Sequence, residues 1–193
     1  MKLSDFEILK LSSSLYEKAL LKRVYYSAYI PINKHKLLPS PLHVKPPLER
    51  EHRLYQADWL LRFYGFRYDE IVDVNENLNI QFDPKTYWAL RHLEHFPIDI
   101  NKASKEVLIR IPGIGIRGAQ KIMQARAYKQ LTFEDLKALK ISLKRAKYFI
   151  IAGKEFERRV PLYEDRLKIA LMHGGHEIIQ PSLFDMSIYT GEF

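Results

Sequence analysis

Residues Ile111-Pro112-Gly113-Ile114-Gly115 constrain the fold of this chain more than any other stretch. Pro112 ends the helix before it, because its ring removes a backbone donor and clashes with the preceding turn. Gly113 and Gly115 permit positive φ and leave no Cβ between backbone and a ligand. Ile114, apolar and set between them, is expected to turn back and pin the corner to a core. Helical spacing of apolar residues holds on both sides, over about 102–109 and 117–126. The segment reads as two helices joined by a tight corner, with the second helix opening directly from Gly115. Small Gly118 and Ala119 let the two helices approach closely, and Ile122 stands behind them.

A corner of this kind serves either as a plain structural turn or as an anion cradle, since free N–H groups and the positive dipole end at a helix start favour phosphate. Charge separates the two. Residues 101–154 carry 13 Lys and Arg against 3 Asp and Glu, a local +10, while the remainder carries 18 against 20. The whole excess of this net +8 chain is thus concentrated around the corner, the footprint expected of a nucleic-acid contact. The expected contact set is Arg110, Pro112, Gly113, Ile114, Gly115, Arg117, Gly118 and Lys121. Arg117 and Lys121 lie one turn apart and reach neighbouring phosphates. A second, glycine-free unit follows. Thr132 and Asp135 form a capping pair ahead of Leu136, and Leu139-Lys140-Ile141-Ser142-Leu143 falls where another corner would sit. It is expected to complete the core of a paired module, with Lys144, Arg145 and Lys147 facing either DNA or solvent.

The stretch from Asn101 through Ile122 resembles the helix-hairpin-helix family of DNA-binding modules, and Asn101-x-Ala103-Ser104 is similar to the version in competence DNA receptors. The resemblance implies a grip on the phosphate backbone without reading of base sequence.

Elsewhere, Ser4 with Glu7 and Ser14 with Glu17 have capping-box spacing, predicting helices over about 5–11 and 15–22. Residues 24–32, rich in β-branched and aromatic types, predict a strand. Residues 33–47 hold four prolines and predict an extended crossing loop. A helix is expected over 48–64 with Leu54, Ala57, Leu61 and Tyr64 on one face and Leu54, Trp59 and Phe63 in the core. Gly65 stops it. Its charged residues, Arg50, Glu51, Arg53, Asp58 and Arg62, read either as a salt-bridged surface or, in a larger barrel protein, as a helix closing the barrel mouth. Asp83-Pro84 starts a helix reaching about Leu93. Further helices are expected over 133–139, 143–157 and 162–172, the last closed by Gly174-Gly175.

Leu21 through Tyr29 and Pro47 through Phe66 resemble the carboxy-terminal half of the DNA modification/repair radical-SAM proteins, which also carry a helix-hairpin-helix near their end. That resemblance implies a 4Fe–4S cluster and S-adenosylmethionine in full-length members, and a uracil-DNA-glycosylase-like partner. The chain departs at the decisive point: it has no cysteine, and the cluster needs a Cys-x3-Cys-x2-Cys loop. No cofactor is therefore expected in this chain, and catalysis by it alone is not expected. Residues 24–32 would be one strand left from, or completing, a radical-SAM-type barrel.

The histidine pairs His92-x2-His95 and His173-x2-His176 offer two metal ligands each and no third, so no metal site is expected. His92 and His95 are expected to cap the end of their helix. Gln180, Leu183 and Phe184, within Gln180-Pro181-Ser182-Leu183-Phe184, resemble the short peptide by which bacterial repair proteins hook the sliding clamp. The alternative is that Leu183 and Phe184 pack on the domain itself.

The expected fold is mostly α: a helical, partial-barrel region over 1–98, the helix-hairpin-helix module over 99–157, and a terminal helix and tail over 158–193. The expected function is non-sequence-specific binding of the double-stranded DNA backbone, as the DNA-engaging part of a radical-SAM-like repair or modification system. One alternative is half of a split enzyme, completed by a cysteine-bearing radical-SAM chain. Another is a scaffold binding RNA or an acidic protein. The amino terminus has no apolar signal core and no apolar run spans a bilayer, so no membrane association is expected and a cytoplasmic, nucleoid-associated protein is.

Overall fold

The computed structural model describes residues 3–30, 48–74, 76–153, 155–156 and 163–172. The proline-rich segment 33–47, His173, His176, Gly174-Gly175, and the tail residues Gln180, Leu183 and Phe184 lie outside the described residues. The chain divides into two compact units, Met1–Arg91 and His92–Phe193. No helix among the described residues is long and apolar enough to cross a membrane.

The first unit is helical: α1 (Asp5–Lys18), α2 (Leu48–Phe63), α3 (Tyr68–Ile71) and α4 (Pro84–Arg91). The Ser4–Glu7 capping box starts α1, with the Glu7 N–H donating to Ser4 Oγ and the Ser4 N–H to Glu7 Oε2. The second expected start at Ser14 does not occur. Helix α1 runs through it as one element, and Glu17 instead accepts from Ser13 Oγ, one helical turn away. Both α1 and α2 end in a left-handed residue, Leu20 (φ +52°) and Gly65 (φ +66°). In each the next N–H reaches back six residues, Leu21 to Leu15 O and Phe66 to Leu60 O. Asp83 caps α4 as its sequence implies, accepting from the Thr86 N–H and hydroxyl.

Helix α1 packs against α2 and α3, and α4 against α2 and α3. Leu9, Leu54, Ala57, Leu60, Ile71 and Leu90 form the core between them. The buried face of α2 differs from the expected one. Trp59 and Phe63 are half exposed and stack on each other and under the Arg62 guanidinium. Asp58, expected on the surface, is wholly buried, where it accepts hydrogen bonds from Tyr16 Oη, Tyr26 Oη and Arg62 Nε. A buried carboxylate is tolerated only when paired and hydrogen-bonded, and these donors meet that condition.

The expected strand over 24–32 is absent from its described part, residues 24–30, which are extended without a strand partner. Side chains take the place of one. The Val24 N–H donates to Tyr16 Oη (3.0 Å), the Tyr26 N–H to Tyr55 Oη (3.0 Å) and the Ala28 N–H to Glu51 Oε2 (2.7 Å). Tyr55 Oη donates in turn to Tyr26 O (2.8 Å). Alternate residues of an extended chain point their N–H groups the same way, so one edge of the segment is sewn down by three helix side chains. Nothing in the described fold supports a barrel remnant.

The second unit holds α5 (Lys105–Arg110), α6 (Ile116–Arg126), α7 (Phe133–Ala138), α8 (Leu143–Ala146) and α9 (Glu164–Met172). It also holds a small sheet of β1 (Ile98–Asp99), β2 (Ile150–Ala152) and β3 (Glu155–Phe156). The helix expected over 143–157 is corrected here: α8 stops at Ala146 and the chain turns into β2 and β3. The aromatic and β-branched run Tyr148-Phe149-Ile150-Ile151 pairs parallel with Ile98-Asp99, so tertiary pairing overrides the helical spacing. Gly153, at φ +69°, lets the chain reverse between β2 and β3, which run antiparallel. Helices α5 to α8 thus form the crossover between two parallel strands. Their core is Ile100, Leu108, Ile111, Ile114, Ile122, Leu131, Leu136, Phe149 and Ile150, all under 2% exposed.

Candidate nucleic-acid interface

The corner between α5 and α6 is built from the inside out. Ser104 starts α5, its hydroxyl accepting from the Val107 N–H. Pro112 ends that helix and is buried, as is Ile114 at 0% exposure, so neither side chain, both in the expected contact set, is available to a ligand. Ile114 closes the corner with a backbone bond from its N–H to Ile111 O (3.1 Å).

The two glycines have different reasons. Gly113 sits at φ +85°, a left-handed conformation that side chains rarely adopt. A Cβ on it would lie 3.1 Å from Ser142 O and 3.2 Å from the Ala146 N. Its missing side chain makes room for the second hairpin, not for a ligand. Gly115 has φ −92° and ψ 178°, ordinary extended backbone, so the positive φ expected there is not found. A Cβ on Gly118 would lie 3.4 Å from Ile141 Cδ1 and 3.6 Å from Ile114 Cγ2, the close approach its size predicts, although against the second hairpin as well as the first.

Gly115 is the N-cap of α6 and has no side chain to cap it. Ser4, Ser104 and Thr132 each accept a hydrogen bond from the third residue of the helix they start. The N–H groups of Ile116, Arg117 and Gly118 have no partner among the described residues, and the first turn of α6 holds no acid. Arg117 is exposed beside them. Lys121, one turn on, is exposed but donates to Leu139 O (3.0 Å), which engages one of its three ammonium hydrogens with the second hairpin. Arg110 is partly buried at the end of α5. At the far end of α6, Arg126 Nη1 donates to Ile100 O (2.8 Å) and Ala103 O (2.6 Å), fixing the helix axis against the turn before α5.

The second hairpin, between α7 and α8, copies the first without glycine. Thr132 and Asp135 form the capping box the sequence implies. Lys140 takes the left-handed position at φ +56°, and the next N–H, of Ile141, returns to Leu136 O (3.0 Å). No spacing or residue type signals a lysine in that conformation; only the alignment of the two corners does. Lys140, Lys144 and Arg145 are exposed on this half, and Lys147 is partly covered, its ammonium 4.8 Å from the Tyr148 ring centroid.

Residues 95–144 match the family model of the helix-hairpin-helix motif. No curated protein matches the chain. No solved structure matches it either. The matched span begins in the turn before β1 and ends in α8, and it takes in both corners. The motif points to nucleic-acid binding.

Proposed function

We propose that the second unit binds the phosphate backbone of duplex DNA without reading base sequence. The carrying observation is the start of α6, which has no side-chain cap and whose first three N–H groups have no partner among the described residues, within a segment of local charge +10. A helix start of this kind takes a phosphate through backbone N–H groups and the helix dipole together. Arg117 and Lys121 add charge on the same helix, and Gly113, Ile114 and Gly118 hold the geometry from behind. Contacts of this type carry no sequence information.

The test is duplex binding by fluorescence anisotropy over a range of salt. Affinity falls steeply as salt rises, with a log–log slope near −0.9 per phosphate neutralised, and permuted sequences bind alike. A flat salt response, or strong preference for one duplex, overturns the reading.

The finer assignment, to the DNA-engaging end of a radical-SAM-like repair or modification system, is supported by the resemblance of residues 21–29 and 47–66 alone. On that reading a cysteine-bearing chain supplies the cluster, and a uracil-DNA-glycosylase-like protein works beside it. A coding sequence with Cys-x3-Cys-x2-Cys adjacent to this one is the observation that tests it. The sliding-clamp contact through Gln180, Leu183 and Phe184 rests likewise on its motif. A peptide of residues 178–186 binds the clamp on that reading, and its Leu183→Ala/Phe184→Ala form does not.

A further inference from the structure

His92, Glu94 and His95 open the second unit on a turn that the chain makes immediately after α4. That helix ends at Arg91, two residues short of the Leu93 expected, so His92 follows its last residue directly and His95 lies beyond it. Residues 93–95 form one tight 3-10 turn, in which the His95 N–H bonds to His92 O (3.1 Å) and the Phe96 N–H to Leu93 O (3.0 Å). A three-residue turn eclipses positions i and i+3, which brings the two imidazoles onto one side. Their rings stack at 5.8 Å with an interplanar angle of 23°.

The spacing alone offers two ligands, and the turn supplies the third. Glu94 Oε1 stands 3.0 Å from His92 Nδ1 and 3.7 Å from His95 Nε2. One donor atom from each of the three residues lies within 4.8 Å of the other two. A tetrahedral zinc ion with bonds of about 2.0–2.1 Å holds its ligand atoms roughly 3.4 Å apart. The two Glu94 edges, 3.0 and 3.7 Å, lie on either side of that length, and the edge between the histidines is at most 4.8 Å, so the triangle closes by side-chain rotation. Two imidazoles and a carboxylate are also a donor set that zinc uses where it keeps a fourth position for water. The imidazoles argue against magnesium or calcium, which take oxygen ligands.

We propose that His92, Glu94 and His95 form a three-ligand Zn²⁺ site. The side chains are 36%, 62% and 58% exposed, so solvent reaches all three. The proposal stands apart from the DNA contact, since its donors precede β1 and none belongs to either hairpin.

The test uses the full chain stripped of metal with a chelator. Cobalt(II) is added as the spectroscopic probe and zinc as the competitor. One equivalent of cobalt gives visible d–d absorption, which zinc then abolishes. In the unsubstituted chain, zinc shifts the ring resonances of His92 and His95 and leaves those of His173 and His176 in place, a readout that needs no variant. His92→Ala/His95→Ala weakens zinc binding by at least about tenfold, and Glu94→Gln weakens it several-fold. His173→Ala/His176→Ala binds like the parent. The proposal is overturned if the parent takes up no cobalt. Metal shifts confined to other histidines, or unchanged binding by the His92/His95 double variant, overturn it equally.

Discussion

The side-chain amide of Asn101 holds both backbone groups of Leu131: the Leu131 N–H donates to Oδ1 at 2.8 Å, and Nδ2 donates to Leu131 O at 3.0 Å. Thirty residues apart in sequence, the two join the turn before α5 to the start of the second hairpin. Leu131 is 1% exposed, so water cannot readily replace either bond. Asn101→Ala is expected to lower stability by about 2–3 kcal/mol, since it leaves a buried donor and a buried acceptor unmatched. Asn101→Asp keeps the acceptor but sets a carboxylate oxygen against Leu131 O, and should cost more. Urea titration followed by circular dichroism measures both, and an unchanged midpoint for Asn101→Ala removes the amide from the account of stability.

The interface makes a prediction that distinguishes geometry from bulk charge. Gly115 has a backbone conformation that any residue adopts, so Gly115→Val should fold, as circular dichroism can verify. A branched side chain at the mouth of α6 should nevertheless weaken duplex binding about tenfold at unchanged net charge. Lys144→Ala should lower the salt slope by about one phosphate contact at most. If Gly115→Val binds like the parent while Lys140→Ala and Lys144→Ala lose heavily, DNA lies along the second hairpin. Gly113 is unsuitable for this test, because a Cβ there strikes Ser142 and Ala146.

Lys140 is held at φ +56°, where an L-residue pays roughly 1–2 kcal/mol that glycine does not. Lys140→Gly should therefore raise stability by about 1 kcal/mol, even though glycine usually destabilises. Lys140→Ala, equally strained, should leave stability nearly unchanged. A fall in the denaturation midpoint of Lys140→Gly would show that the lysine side chain stabilises the corner by more than its backbone costs.

The first unit should respond to pH through Lys85. It is 8% exposed at the start of α4, with its ammonium 4.8 Å from the Tyr64 ring centroid. Burial pulls its pKa from 10.5 down to about 7, against the opposing pull of Asp83. Between pH 7 and about 10 the unfolded chain keeps a proton that the folded one has released, so stability rises with pH across that window. Above about pH 10 the sign reverses. Burial and the bond to Asp58 push Tyr16 up to about 12, and burial also raises Tyr26, so the unfolded chain loses those protons first. Urea midpoints read from tryptophan fluorescence should peak near pH 10, an order-of-magnitude placement. Lys85→Met should flatten the rise and leave the fall. A parent midpoint constant from pH 7 to 9.5 would contradict the burial of a neutral lysine.

Local signals carried well into the fold wherever one residue decides one event. Ser4, Asp83 and Thr132 cap their helices, Gly65 and Pro112 end theirs, and Ile114 lies in the core, whereas the helix expected from 102 begins only at Lys105, behind a Ser104 cap that was not expected. What the sequence concealed is set by distant partners. Residues 148–151 continue a helical pattern but meet Ile98-Asp99 and become a strand. Asp58 looks like one surface charge among five, and only the hydroxyls of Tyr16 and Tyr26 make it a buried one. The residues of the expected contact set fall at one corner but have different surroundings there. Pro112 and Ile114 are buried in it, Gly113 accommodates the second hairpin, and the start of α6 presents half-buried Gly115 and exposed Arg117.

The segment 24–28 has a consequence for how this unit tolerates change. A strand in a sheet is held by main-chain groups, which survive nearly any substitution. Here the hold passes through three tip oxygens, on Tyr16, Tyr55 and Glu51. Tyrosine to phenylalanine keeps the ring, its volume and its packing, and removes only that oxygen. Relatives with the same apolar core can thus route this stretch differently after one or two such exchanges. Similarity scored on hydrophobic residues would not register the divergence, and the hydroxyl positions are where descent of this unit should be traced.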